Sequence, residues 1–140
     1  MIKRIAHLAF GVKDMAKSMY FYTEIMGFQR AFTLYDDQKQ PWIEYIKIAE
    51  GHFIELFYSD SKTLFPTQET SYQHLCLETD NLVQYCESIE KKGYPLDAPI
   101  ILGLDHNFQA CVKDPDGNRI ELMEYGKEAL QLQPVRDINS

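Results

Sequence analysis

The sequence has few of the residues that are enriched in disulfide-rich, collagen-like or low-complexity chains. Its 140 residues include three cysteines, seven glycines and six prolines, and it has no apolar run long enough to span a bilayer. These counts exclude collagen-like and low-complexity chains, and no secretory signal or membrane segment is predicted. The cysteines are odd in number and lack CxxC spacing, which favours free thiols in a cytoplasmic protein over a disulfide framework.

Positive charge is also scarce. Lys and Arg total 14 against 21 Asp and Glu, which gives a net charge of -7 at pH 7. A surface that follows phosphates needs the opposite sign, so nucleic acid is not an expected partner, and neither is a membrane. With 45% hydrophobic residues at this length, the composition predicts one domain with one core.

The two halves of the chain resemble each other. Three landmarks recur in the same order: HLAF at 7–10 as HLCL at 74–77, IEL at 54–56 as IEL at 120–122, and Gly27-Phe28 as Gly93-Tyr94. Because this period is too long for a solenoid repeat, it indicates a duplicated module of about 60 residues. We predict a single domain over 1–126, made of modules 1–58 and 70–126 with a linker at 59–69, followed by a C-terminal tail at 127–140.

Each copy predicts the order βαβββ. Residues 3–10 and 72–79 alternate in polarity as strands do. Asp14 and Asn81 can each cap a helix with one apolar stripe, and glycines at 27 and 93 end these helices. Three further strands are predicted in each copy, at 29–35, 42–48 and 52–58, and at 96–102, 108–113 and 118–125. The predicted class is α+β, and neither copy alone is expected to bury a stable core.

The repeated His and Glu residues are the candidate site. Strand alternation places Glu55 between two aromatic positions, and a carboxylate on such a face is costly unless it is paired or binds a metal. Taken singly, each of these residues has an ordinary structural explanation. A histidine can be half-buried and hydrogen-bonded to the backbone, and a glutamate can lie on the solvent-exposed side of a hairpin. Their recurrence at matched positions favours one divalent ion of Ni, Zn, Co, Mn or Fe, with ligands His7, Glu55, His74 and Glu121.

The double βαβββ order, FYTEIMGF at 21–28, DPDGNRIEL at 114–122 and the His, Glu, His, Glu set resemble the vicinal oxygen chelate superfamily, nearest to its glyoxalase I branch. The resemblance covers about residues 3–125. It implies a cup-shaped mixed sheet around a metal ion, a small-molecule substrate and a homodimer. His7, Glu55, His74 and Glu121 fall on the four metal positions of glyoxalase I.

The resemblance also implies a reaction. A lyase of this type converts the hemithioacetal of a 2-oxoaldehyde and a thiol into a 2-hydroxyacyl thioester through an enediolate. Glu121 would transfer the proton, and Glu55 could act from the opposite face. Two positions depart from the glutathione-using pattern, because Gly11 stands where an Arg is usual and Ser59 where an Asn is frequent. The identity of the thiol therefore stays open.

Two other functions are compatible with the same fold. A metal-free protein that binds an antibiotic or another small molecule could line its site with aromatic side chains such as Trp42, Tyr45, Phe57 and Phe108, although such residues are more often core. A ring-cleaving dioxygenase is the other alternative. Superfamily dioxygenases usually use two His and one Glu, so the fourth ligand counts against it.

Several other polar residues are weaker candidates. Lys13, Arg30 or Arg119 could hold a substrate anion in place of the missing Arg, but each is better explained as an ordinary solvated charge. Cys76 shares a strand face with His74, yet free cysteines are commonly small buried apolar residues, so it is left out of the metal set. The remaining histidines, at 52 and 106, lie next to turns and are predicted at the surface.

Overall fold

The computed structural model describes residues 5–58 and 74–132. Contacts divide the chain into two compact units, one containing the first module and residues 114–117, the other containing 74–113 and 118–132 of the described part. The predicted linker 59–69 lies outside the described residues, as do 133–140 of the predicted tail.

The first unit contains a four-stranded mixed sheet. Its strands are β1 (His7–Val12), β2 (Gln29–Tyr35), β3 (Pro41–Ala49) and β4 (His52–Tyr58), in the spatial order β1-β4-β3-β2. β1 runs parallel to β4, and the other neighbours are antiparallel. Apolar residues at alternate positions bury one face of this sheet, as the period-two pattern requires.

The helix of the first unit changes type along its length. The Asp14 side chain accepts a hydrogen bond from the Lys17 amide at 3.1 Å and starts α1 (Met15–Tyr20), which continues as a π-helical turn (Phe21–Ile25). The helix ends before Gly27, whose φ of 77° lies in the left-handed region that glycine adopts without strain. The wider π turn brings adjacent pairs of side chains to the core: Phe21, Tyr22, Ile25 and Met26 are all buried.

The second unit repeats this plan. Strands β5 (Leu75–Glu78), β6 (Ala98–Leu102), β7 (Phe108–Lys113) and β8 (Arg119–Glu124) take the order β5-β8-β7-β6, again with one parallel pair, β5 with β8. Helix α2 (Leu82–Lys91) packs against β7 and β8 through its buried stripe of Leu82, Cys86 and Ile89. The predicted α+β class with two tandem modules is confirmed. Within the described ranges no helix is long and apolar enough to cross a membrane.

A turn from the second sequence repeat completes the first unit. Asp116 accepts hydrogen bonds from the Lys13 amide at 3.0 Å and the Ser18 hydroxyl at 3.3 Å. Asp114 accepts one from the Tyr22 hydroxyl at 2.8 Å, and both of these side chains are buried. The aspartates of the 114–117 turn therefore satisfy polar groups on and beside α1.

Residue 126 and the first six residues of the predicted tail, 127–132, are held against the turn between β6 and β7. The backbone forms a short 3-10 turn (Leu130–Leu132), and the Leu130 amide donates to the Asp105 carbonyl at 3.0 Å. The fully buried Asn107 amide donates to Gln131 at 2.8 Å and to the Asp105 carboxylate at 2.9 Å. Hydrogen bonds from Gln131 and then Asn107 hold the pKa of Asp105 below its usual value, as expected for a carboxylate that accepts several hydrogen bonds.

Candidate functional site

In the first unit, the parallel pairing of β1 with β4 brings His7 and Glu55 to one sheet face. Ala9 lies opposite Glu55 and His7 opposite Phe53, so period-two alternation points His7 and Glu55 to the same side. His7 Nε2 lies 3.5 Å from Glu55 Oε1. Glu55 is only 6% exposed, so its carboxylate does not lie on the wet side of a hairpin.

Tyr45 is a third member of this group that the sequence reading did not single out for Glu55. It lies directly opposite Glu55 on β3. Interaction with the Glu55 carboxylate, followed by partial burial, raises the pKa of Tyr45 to about 12, so the phenol is neutral at physiological pH. The turn at Glu50 and Gly51 gave no signal of this pairing, because equal distances from it place Ile46 opposite Glu55. A register shift between Lys47 and Ala49 brings Tyr45 there instead.

The second unit has a comparable arrangement around Glu121. Cys76 lies opposite Glu121 in the parallel β5–β8 pair, and its Sγ is 3.4 Å from Glu121 Oε1. Cys76 is exposed, yet partial desolvation of its sulfur, and then the hydrogen bond to Glu121, raise the pKa of the thiol to about 12. The thiol is therefore a neutral donor towards the carboxylate. His74 is exposed and lies just before β5, two residues ahead of Cys76.

Both units place their candidate residues in the same way. In each, a histidine stands two residues before the side chain that faces the glutamate across a parallel strand pair. Imidazole nitrogen and carboxylate oxygen are donors that suit borderline divalent ions, so the donor chemistry of each half fits the predicted metal. In the part of the chain that the structure describes, no three His, Cys, Asp or Glu side chains come together as a ready metal-holding group.

Two of the three candidate anion-binding residues have protein partners. Arg30 donates to both oxygens of Glu44 at 3.1 Å, and Glu44, 3% exposed, also accepts from the hydroxyls of Thr33 and Tyr58. Arg119 donates through two nitrogens to Cys111 Sγ at 3.2 and 3.1 Å. Both guanidinium groups are thus engaged in the fold. The Lys13 side chain is exposed, as predicted for a solvated charge.

The two remaining histidines lie apart from the candidate ligands. His106 is exposed in the turn after β6, with φ at 66°, and His52 is half-buried at the start of β4. The surface prediction therefore holds for His106 and only partly for His52.

Aromatic side chains surround Glu55 on its sheet face. The rings of Phe32 and Tyr45 stack with centroids 4.3 Å apart, and Tyr45 meets Phe53 edge-on at 6.3 Å. Further along, Trp42 meets Phe57 at 6.0 Å. Phe32 is 47% and Trp42 38% exposed, so part of this aromatic surface is open to a ligand.

Comparison with known proteins gives a consistent picture. A family model of the Glyoxalase/Bleomycin resistance protein/Dioxygenase superfamily matches residues 4–122. A probable lactoylglutathione lyase of Vibrio parahaemolyticus is 33% identical over 136 residues, which covers 93% of this chain and 96% of that protein. A lactoylglutathione lyase of Escherichia coli is 30% identical over 127 residues, covering 86% and 92% of the two chains.

Solved structures show the same fold at lower identity. The crystal structure of a glyoxalase family protein from Enterococcus faecalis superposes with a TM-score of 0.71 at 22% identity, covering 87% of this chain and 98% of that one. A lactoylglutathione lyase from Agrobacterium tumefaciens gives a TM-score of 0.68 at 16% identity, covering 88% and 94%. At these identities the likeness concerns the fold alone.

Proposed function

Because the chain belongs to the glyoxalase/bleomycin resistance protein/dioxygenase superfamily, we propose that it is a metal-dependent lyase of the glyoxalase I type. Its substrate would be the hemithioacetal of a 2-oxoaldehyde and a thiol, and its product a 2-hydroxyacyl thioester. The observation that carries the proposal is Glu55, a nearly buried carboxylate facing His7 on one sheet face, with the same frame repeated around Glu121. The names of the relatives at 30–33% identity support this reaction class.

We assign His7, Glu55, His74 and Glu121 as the residues that hold the ion. A bound divalent ion would supply Lewis-acid polarisation of two neighbouring substrate oxygens. Two carboxylates and two neutral imidazoles neutralise the charge of a divalent ion, and the buried position of Glu55 keeps water from competing for its oxygens.

Glu121 is the proposed general base, while Glu55 could act from the opposite face. The reaction moves two protons. Glu121 takes one from the carbon bonded to the thiol sulfur and returns it to the neighbouring carbonyl carbon, while the hydroxyl proton of the first carbon passes to the oxygen of the second. Atoms and charge balance without an oxidant or reductant, since one carbon is oxidised as its neighbour is reduced. Glu121 is less buried than Glu55 and its described donor is a weak thiol hydrogen bond, which leaves it freer to move.

Replacing Glu121 tests this role. Glu121→Gln keeps the size and the hydrogen-bonding capacity of the side chain but removes the base, so turnover should fall by roughly 100-fold or more. Glu124→Gln is the matched control, because Glu124 lies on the same strand and accepts a hydrogen bond from the Leu82 amide at the start of α2. A fully active Glu121→Gln protein would contradict the assignment.

An activity assay with different thiols identifies the thiol that the substrate contains. Protein of known divalent metal content is given methylglyoxal with glutathione, with other thiols and with none. Gly11 lies on β1 without a side chain to hold a carboxylate, while Ser59 lies outside the described residues. We therefore expect weaker discrimination between thiols than an Arg at that position would give, since losing a charge-assisted bond costs about 1.5–3 kcal/mol. Strict dependence on glutathione would contradict this expectation.

The aromatic surface around Glu55 favours one second candidate, a metal-free protein that binds a flat apolar molecule. Stacked and edge-on rings at Phe32, Tyr45 and Trp42 are the kind of wall that such ligands contact. Metal content separates the two functions. If purified protein binds no divalent ion and His7→Ala leaves ligand binding unchanged, the binding function is supported and the lyase is excluded.

A further inference from the structure

Two cysteines face Glu121 from the two strands that flank β8. Cys76 lies opposite Glu121 on β5, and Cys111 lies opposite it on β7. Both residues that face Glu55 in the first unit lack sulfur. The second unit therefore places two thiols beside its glutamate, and this is a chemical difference between the two copies of the module.

The two thiols have different surroundings. Cys111 is 3% exposed, and its Sγ accepts hydrogen bonds from two nitrogens of Arg119 at 3.2 and 3.1 Å. A guanidinium has only donors, so it engages the sulfur lone pairs that a metal ion needs. Cys76 is exposed, and its Sγ lies 3.4 Å from Glu121 Oε1. Of these two thiols, Cys76 is the one that an ion from solution can reach.

The distance between Cys76 Sγ and Glu121 Oε1 suits two ligands of one ion. In a tetrahedral zinc site, a cysteine sulfur lies about 2.3 Å and a carboxylate oxygen about 2.0–2.2 Å from the metal. At the tetrahedral angle, these bonds place the sulfur and the oxygen about 3.5–3.6 Å apart. The observed separation of 3.4 Å is close to this value. Both atoms can therefore bind one ion after a small adjustment of either side chain.

A third donor belongs to the same stretch of chain. His74 stands two residues before Cys76, so strand alternation assigns its side chain to the sheet face of Cys76 and Glu121. Imidazole, thiolate and carboxylate are the three donor types that zinc takes in proteins. A thiol that coordinates a divalent ion gives up its proton. Metal binding therefore replaces the weak hydrogen bond between Cys76 and Glu121.

We infer that Cys76 is a further ligand of the proposed ion, in addition to the four residues assigned above. This inference rests on the proposed function and deepens it by naming the class of ion. A thiolate is a soft donor that favours Zn²⁺, whereas carboxylate and water oxygens suit Mn²⁺. A site that includes Cys76 therefore prefers Zn²⁺ to Mn²⁺ more strongly than a site made of imidazoles and carboxylates alone.

The test replaces the two thiols that face Glu121 one at a time. Cys76→Ser exchanges the sulfur for a hydroxyl oxygen. Cys111→Ser is the matched control, because Cys111 faces the same carboxylate and its sulfur is bound by Arg119. Cys86→Ser changes a thiol on α2 and replaces this control if Cys111→Ser is too unstable to titrate.

Each reduced protein is titrated with Co²⁺. The visible bands report the bound ion, and a near-ultraviolet band of sulfur-to-cobalt charge transfer reports a thiolate ligand. We expect wild type and Cys111→Ser to show both. Cys76→Ser should lose the charge-transfer band and keep visible bands, since the other proposed ligands remain. In competition between Zn²⁺ and Mn²⁺, the preference for Zn²⁺ should fall in Cys76→Ser and not in the control.

The contrary outcomes are distinct. If wild type binds Co²⁺ without the charge-transfer band, Cys76 is not a ligand and the proposed function stands. If the band survives in Cys76→Ser, another thiol binds the ion and the inference is wrong. If Cys76→Ser and the control both lose it, the band depends on the integrity of the sheet and the inference is again wrong. If wild type binds no divalent ion, the inference and the proposed function both fall.

Discussion

Among the residues that the structure describes, three buried carboxylates are stabilised in three different ways. Glu44 is paired with the guanidinium of Arg30 and accepts from two hydroxyls. Asp114 accepts from the Tyr22 hydroxyl. Glu55 faces an imidazole and a phenol instead of a permanent cation. Because a buried charge needs compensation, the environment of Glu55 is the one that a metal ion would complete, whereas the other two are explained by the fold.

The Tyr22–Asp114 bond gives a prediction at the scale of a single residue. Tyr22→Phe removes one hydroxyl from a fully buried site and takes a donor from Asp114. We expect a loss of about 1–3 kcal/mol in the free energy of unfolding, since a buried acceptor loses its donor. Urea denaturation followed by circular dichroism measures it.

Tyr20→Phe is the matched control for this measurement. Tyr20 lies on the same helix and is 59% exposed, so its hydroxyl is solvated and its removal should change the free energy of unfolding by less than about 0.5 kcal/mol. Equal losses for the two variants would show that the buried bond contributes nothing particular.

The candidate ligands could be predicted from the sequence, because residues that recur at matched positions of a duplication stand out from other polar residues. His7 and Glu55 could be chosen from many polar residues since each has a counterpart in the second copy. Tyr45 had no such signal, because its counterpart is Cys111 and its place opposite Glu55 depends on strand register. Whether the chosen four bind metal stays a prediction.

At the scale of elements, period-two and capping signals predicted strands and helix starts well. The helix of the first unit shows a limit of these signals. A 3.6-residue period predicts that Met15 and Met19 lie on the buried stripe, but both are only half-buried, whereas Phe21 and Ile25 are fully buried. One residue inserted as a π turn rotates the face, and no local propensity encodes that insertion.

Strand β1 shows a second limit. Alternation predicted it at 3–10, and the structure places it at His7–Val12, because residues 7–12 pair one for one with Phe53–Tyr58 of β4. Pairing partners, rather than hydrophobic pattern, decide where a strand ends. Gly11, which has no side chain to pack, is kept in the strand by that ladder.

The hydrogen bonds that join the β6–β7 turn to residues 126–132 give a prediction at the element scale. Asn107→Ala removes the buried amide that bonds both Asp105 and Gln131 and that accepts from the Gly126 amide at 3.3 Å. We expect residues 126–132 to lose protection in amide hydrogen exchange by at least roughly 10-fold, because two of the bonds that anchor them, to Gln131 and from Gly126, are gone.

Leu104→Ala serves as the control for the exchange measurement on Asn107→Ala. Leu104 is in the same turn and fully exposed, so its truncation alters no buried contact, and exchange in 126–132 should match wild type. Unchanged protection in Asn107→Ala would show that the short 3-10 turn is held by something other than this amide.

At the scale of the whole molecule, the proposed ion should couple to folding. A ligand that binds the folded chain at about 100 times its dissociation constant stabilises it by about 2.7 kcal/mol. We therefore expect Ni²⁺ or Co²⁺ to raise the midpoint of thermal unfolding, and EDTA to reverse the shift. His7→Ala should remove most of it, whereas His106→Ala, which truncates an exposed histidine, should keep it. A shift that survives in His7→Ala would place the ion elsewhere.

The 114–117 turn has a consequence for how such a chain can be recombined. It lies in the second copy along the sequence, yet its aspartates accept hydrogen bonds from Lys13, Ser18 and Tyr22. A gene fusion that joined this first copy to the second copy of a relative would preserve the helix only if the incoming turn carried carboxylates at the same two positions. The crossover points open to such hybrids are thus set by two aspartates rather than by the boundary of the duplication.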